Sequence, residues 1–170
     1  MPNWCTNRVT ITGDPKDIKE VKDFLKGDEK NGEESIFSFH NVIPMPKELI
    51  GTRSPATVLD TQKEVDEYNN NHADDRFPHE AISLKTSTKM KLTHGADNWY
   101  DWCNENWGTK WGACDPTLDE DEEDYIVYHF NTAWGPPNEI YDALIGRFKN
   151  IHVQWFYDEP GMGFAGYLPE

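Results

Sequence analysis

The sequence predicts an α+β domain on a split β-α-β plan, and three observations carry the prediction. A strand-helix-strand pattern stands at each end of the chain, the long stretch between them loses regular periodicity, and the strand segments alternate apolar with polar residues as half-buried strands do.

Arg8-Val9-Thr10-Ile11-Thr12 is the first strand, closed by Gly13. Asp14 is placed as N-cap and Pro15 at the first helical position, and Ile18, Val21, Phe24 and Leu25 share one face, so a helix runs from about Pro15 to Lys26 and stops at Gly27. Ile36 to Val42 alternates weakly and is expected to be the second strand, ended by Pro44 and Pro46. An insertion follows over about 45–124. Within it Thr61 caps a helix through about Asn70, and a second helix is expected from Asn98 to about Trp107, with Asp97 as N-cap and Gly108 as terminator. Residues 115–124 contain seven acids in ten and are expected to form a solvated loop. Tyr125 to Phe130 is the strongest strand pattern. After Gly135-Pro136-Pro137 an apolar stripe of Ile140, Tyr141, Leu144, Ile145 and Phe148 marks a helix to Lys149, with Asn150 as a left-handed cap. His152 to Tyr157 is the last long strand, and Phe164 to Tyr167 is a short strand behind a sharp turn. The order β-α-β, insertion, β-α-β is ferredoxin-like, with two helices on one face of an antiparallel sheet. The whole chain, 1–170, is expected to be one such domain.

Composition narrows the function. Against 31 acidic residues stand 16 basic ones, a net charge of −15, which argues against sequence-independent binding to nucleic acid because phosphate neutralisation needs clustered Lys and Arg. Cys5, Cys103 and Cys114 have no CxxC spacing, and their odd number points to a reducing cytoplasm. No signal peptide opens the chain and no apolar run approaches the ~20 residues of a membrane span, so neither secretion nor a membrane partner is expected. His40, His72, His79, His94, His129 and His152 lack metal-site spacing among themselves and with the cysteines, and no cofactor or metal is expected. The acidic setting disfavours Cys103 or Cys114 as a nucleophile. The Glu159-Pro160-Gly161-Met162-Gly163 turn lacks the strand-then-helix context of a phosphate loop.

One stretch is unlike the rest. Trp99, Trp102, Trp107 and Trp111 place four of seven tryptophans within thirteen residues. An indole buries roughly 150–250 Å² and wants a partner for its N–H, so such a group either completes a core or forms a ligand face. Read as a core, it seals the insertion against the sheet. Read as a site, it joins Asn3, Trp4, Asn7, Trp107, Lys110, Trp111 and Trp134, with aromatic faces to stack a base, amides to read its edge, and Lys110 with Arg8 to meet a phosphate.

Four motifs then carry a resemblance: the opening Met1-Pro2-Asn3-Trp4-Cys5-Thr6-Asn7-Arg8-Val9-Thr10, Trp107-Gly108-Thr109-Lys110-Trp111, Thr132-Ala133-Trp134-Gly135-Pro136-Pro137, and Glu159-Pro160-Gly161-Met162-Gly163-Phe164-Ala165-Gly166. Together they resemble the YubB-like family of phage and plasmid proteins, end to end. The resemblance implies a ferredoxin-like domain, carriage on a mobile element and residence in a bacterial cytoplasm, and it assigns no catalytic residue. The expectation is a non-enzymatic binding protein whose partner is a host protein, such as a defence factor, or a nucleotide-like small molecule. Two alternatives stand beside it: an enzyme on a nucleotide or nucleic acid, with a carboxylate or His40 as base, and an acidic decoy for a basic host protein through Asp119 to Asp124.

Overall fold

A computed structural model of the chain describes residues 3–27, 35–73 and 80–169. Its elements begin with β1 (Trp4–Gly13), α1 (Pro15–Leu25) and α2 (Phe39–Val42). A 3-10 turn at Lys47–Leu49 leads to β2 (Val58–Leu59), α3 (Gln62–Asn71), β3 (Ile82–Ser83), α4 (Leu84–His94) and α5 (Trp99–Asn106). The chain ends with β4 (Cys114–Asp121), β5 (Tyr125–Ala133), α6 (Asn138–Arg147), β6 (Ile151–Glu159) and β7 (Phe164–Leu168). Two compact units result: Met1–Pro44 with Asn106–Glu170, and Met45–Glu105.

The first unit is a five-stranded sheet in the order β4-β5-β1-β6-β7, with all neighbours antiparallel. The first four in that order are the ferredoxin-like arrangement, and β7 extends it beyond β6. This is a ferredoxin-like α+β fold. Alternation does the sorting: Cys5, Val9 and Ile11 of β1 are buried with Ile126, Phe130 and Trp155, with Ile18, Val21 and Leu25 of α1 and with Ile140, Tyr141 and Leu144 of α6, while Trp4, Thr6 and Arg8 turn to the other, open face.

Three expectations are corrected here. Residues 36–42 are not a strand. Their polar groups are taken by the end of α1: Ser38 N donates to Leu25 O at 2.7 Å, and the Asn41 amide donates to Phe24 O and Lys26 O at 2.9 and 2.8 Å. Those are carbonyls that a helix leaves unsatisfied at its C-terminus, so the segment folds into α2 instead of a ladder. Phe37, fully buried, meets Phe39, Tyr128, Phe130 and Trp155 at ring separations of 6.0, 5.1, 4.8 and 6.0 Å.

The missing strand is the acidic segment. Cys114–Asp121 forms β4, an edge strand with two register shifts against β5, where a loop was expected. Asp and Glu are poor strand formers in a sheet interior, but a bulged, charged, proline-bearing strand suits an edge. Three of its carboxylates are paired, Asp119 with His129, Glu120 with Arg8 at 3.5 Å and Asp121 with Lys22. The insertion therefore ends near Glu105 and enters between α1 and the second strand, not between the two halves. The third correction is smaller: α6 stops at Arg147 with Phe148 extended, and Asn150 adopts no left-handed cap.

In the second unit the expected cap at Thr61 is present, and the structure adds Glu64 to make it a capping box, with Glu64 N donating to Thr61 Oγ1 at 3.3 Å and Thr61 N to Glu64 Oε2 at 2.9 Å. The cap of α5 is Asn98 rather than Asp97, its Oδ1 accepting from Asp101 N at 3.0 Å. Asp97 is buried, and its carboxylate accepts from Ser87, from Asn98 and from Lys91 at 3.0 Å. Burial pushes this carboxyl up, and the bonds from Ser87, Lys91 and Asn98 outweigh it, so its pKa lies below the ordinary range. Its stabilisation is then present above about pH 4 and is lost as pH falls through the depressed folded value. Asp97→Asn is expected to lower stability by about 1–2 kcal/mol at pH 7, and the gap between variant and wild-type urea midpoints should narrow progressively as the pH falls below about 4.

Candidate functional site

Six of the seven candidate residues divide into a scaffold and a surface. Asn7 belongs to the scaffold, a correction to its reading as lining. It is fully buried, its amide donates to Cys5 O at 3.0 Å and Thr132 Oγ1 at 2.8 Å, and its Oδ1 accepts from Trp155 Nε1 at 3.0 Å. No polar group of Asn7 is left for a ligand. Thr132 passes the chain of bonds on, donating to Gly135 O at 2.7 Å and so fixing the turn in which Trp134 takes φ 68°.

The Trp107–Trp111 motif is anchored the same way. Trp107 is buried and donates to Ile43 O at 2.9 Å, which also makes it scaffold; it also lines a separate recess of about 280 Å³ with Phe39, His40 and Gly112. Gly108 follows at φ 74°, and a Cβ there would lie 2.2 Å from Glu139 Oε2. Thr109, buried, both donates to Ala133 O and accepts from Ala133 N at 3.1 Å, replacing a strand partner at the end of β5. Each bond satisfies a buried backbone group that would otherwise be orphaned.

What this scaffold presents is an aromatic cluster. Trp4 and Trp111 have ring centroids 6.1 Å apart, inclined by 34°. Lys110 Nζ stands 4.3 Å from the Trp111 ring and 6.0 Å from that of Trp134, within cation–π range. Trp4 and Trp134 are each 41 % exposed, and Trp111 is half-buried. Trp4, Lys110, Trp111 and Trp134 thus converge from β1, the loop after α5 and the turn after β5. Asn3 joins them at the margin, its carbonyl accepting from Trp134 N at 3.0 Å. Its side chain lies against Gly161, where a Cβ would sit 2.7 Å from Asn3 Nδ2 and 2.8 Å from Glu159 Oε1. Glu159 is fully buried and accepts from Met162 N, while its Oε1 has no partner among the described residues. Trp99 and Trp102 belong to the second unit, and Trp102 is buried there. The tryptophan stretch is therefore divided between units rather than being one cluster.

Arg8 does not join the indoles. It lies further along β1 in a recess of about 210 Å³ with Thr10, Gln154, Phe156 and Tyr167, whose two rings are 5.2 Å apart. This aromatic pair was missed, although Phe156 follows a buried tryptophan and alternation alone places it on the open face.

Other chemistry finds less support. Among the described residues no three His, Cys, Asp or Glu side chains gather as metal ligands; His79 lies outside the described residues. Burial, foremost, pushes the Cys5 thiol up to about 11 and that of Cys103 to about 12, and burial with Asp115 raises Cys114, which opposes a thiolate at neutral pH. Among the described residues no helix is long and apolar enough to cross a membrane.

Comparison with known proteins agrees with the sheet. Residues 106–169 match a family model described as a ferredoxin-like domain in Api92-like protein. That segment contains β4 to β7 and α6. Among solved structures, the crystal structure of protein api92 from Yersinia pseudotuberculosis is similar over 98% of this chain and 93% of that one, with a TM-score of 0.55 and 12% identity. No curated protein matches. The likeness is one of fold, and it carries no activity with it.

Proposed function

We propose that the chain is a non-enzymatic binding protein for a flat, anionic small molecule of nucleotide type, held by Trp4, Trp111 and Trp134 with Lys110 beside its charge. One observation supports this above others: a buried polar scaffold holds three solvent-accessible indoles and a lysine in one corner. Exposed aromatic groups of this size are disfavoured unless something covers them. Indole faces stack any base, the lysine meets a phosphate, and the exposed Asn3 amide at the margin offers a donor to a polar edge. The YubB-like resemblance adds the setting: a phage or plasmid protein in a bacterial host, binding a nucleotide signal of host defence and so removing it.

Titration calorimetry and fluorescence quenching against mono-, di- and cyclic nucleotides test the reading. Saturable binding to at least one class is expected, and a panel without heat or quenching would refute it. A stacked base is worth about 1–3 kcal/mol, so Trp111→Ala is expected to weaken binding about tenfold or more while the unfolding midpoint stays near wild type. Turnover of the bound nucleotide would move the protein into the enzyme class.

A further inference from the structure

Helix α4 reads Leu84-Lys85-Thr86-Ser87-Thr88-Lys89-Met90-Lys91-Leu92-Thr93-His94 and contains no acid, in a chain with 31 acidic and 16 basic residues. Its inner side is tied down by Ser87 and Lys91, both bonded to Asp97. The outer side is different. Leu84, Thr88 and Leu92 recur every fourth residue and form one row, with Lys85 and Lys89 in a second row beside it. Leu84 is 52 % exposed and Leu92 84 %. These side chains and Asp60 line a shallow trough of about 560 Å³ within the second unit.

Neither row is explained by the fold. Lys91 and His94 suit the negative end of the helix dipole, but Lys85 stands in the first turn, where that dipole favours an acid. Lys85 and Lys89 make no ion pair among the described residues. A single exposed leucine needs no reason; two on one helix row, flanked by unpaired lysines, match one side of a helix-in-groove contact.

We propose that this face docks an acidic amphipathic helix of a partner protein, its apolar anchors on Leu84 and Leu92 and its Asp or Glu residues over Lys85 and Lys89. Charge complementarity selects this occupant: the patch is basic where the chain is acidic. Asp60 is the one acid in the lining, against two lysines. A membrane fits less well, since the row holds two leucines and no aromatic residue, and a net charge of −15 is repelled by anionic headgroups. A second copy fits less well too, because the apolar stripes of α1 and α6 and Val65 of α3 are buried. The inference is independent of the tryptophan cluster, which lies in the other unit.

The test is panning of the immobilised full chain with a displayed library of 16-residue helix-forming peptides, followed by affinity measurement on the enriched sequences. Enrichment of acidic peptides with apolar residues at helical spacing is expected. Their affinity should fall at least tenfold for Leu92→Ser and for the double variant Lys85→Glu with Lys89→Glu, and should weaken with added salt. Glu-to-Lys versions of the same peptides should prefer the double variant. All three substituted side chains face solvent, so circular dichroism should match wild type. Enrichment of basic or patternless peptides, affinities indifferent to both variants, or Leu92-dependent sedimentation with phosphatidylglycerol vesicles in place of peptide binding overturns the proposal.

Discussion

Phe37→Ala is expected to lower the unfolding free energy by about 3–5 kcal/mol, the range for emptying a fully buried phenylalanine site. The ring is completely enclosed and meets four other aromatic rings, two on β5 and one on β6, with Phe39 as the fourth. Little can move in to fill the space, because Tyr128, Phe130 and Trp155 are held by the sheet and Ser35 and Asn41 fix the backbone on either side. Urea unfolding followed by tryptophan fluorescence measures it, since Trp155 lies against the deleted ring. A loss below about 1 kcal/mol would mean that the segment before α2 is not docked in the core.

Asn7→Ala is expected to cost about 2–4 kcal/mol through a different mechanism, the orphaning of buried polar groups at about 1–3 kcal/mol each. Trp155 Nε1 loses its acceptor and Thr132 Oγ1 a donor, while Cys5 O is left with the longer 3.5 Å contact from Thr132 Oγ1. Asn7→Asp keeps the acceptor for Trp155 but aims a carboxylate at Cys5 O and buries a charge. Its stability should therefore improve as the pH falls and the new carboxyl protonates, opposite to the acid sensitivity expected from Asp97. Comparing the alanine and aspartate variants at pH 7 and pH 4 separates the loss of bonds from the burial of charge.

These two residues also show where the sequence was readable. Val9 and Ile11, the stripes of α1 and α6 and the Thr61 cap follow local rules, and the structure obeys them. Phe37 and Phe39 misled because alternation over a few residues is the same for a strand and for a plug that sends two rings into one core; only the Asn41 bonds to α1, a tertiary fact, separate the two cases. β4 was invisible for the converse reason: its stability comes from its neighbour β5 and from Arg8, Lys22 and His129, none of which is local. At the candidate site, residue type was legible and role was not. Tryptophan, lysine and asparagine announced a polar aromatic corner, yet whether an amide faces inward depends on strand parity and on what sits across the sheet. Asn7 shares parity with Cys5 and Val9 and is buried; Trp4, one step from Cys5, is exposed.

The placement of β4 after the insertion has a consequence for how the molecule comes into being. During synthesis β1 and α1 emerge before the insertion, whereas both strands that flank β1, β5 and β6, emerge after it. The central strand of the sheet is therefore made before either of its neighbours, and it waits for them while the whole of Met45–Glu105 is made. Such long-range pairing has high contact order and slow closure. In the interval the alternating Trp4–Gly13 segment has both its edges open, the period when a nascent sheet is most exposed to pairing with the wrong chain.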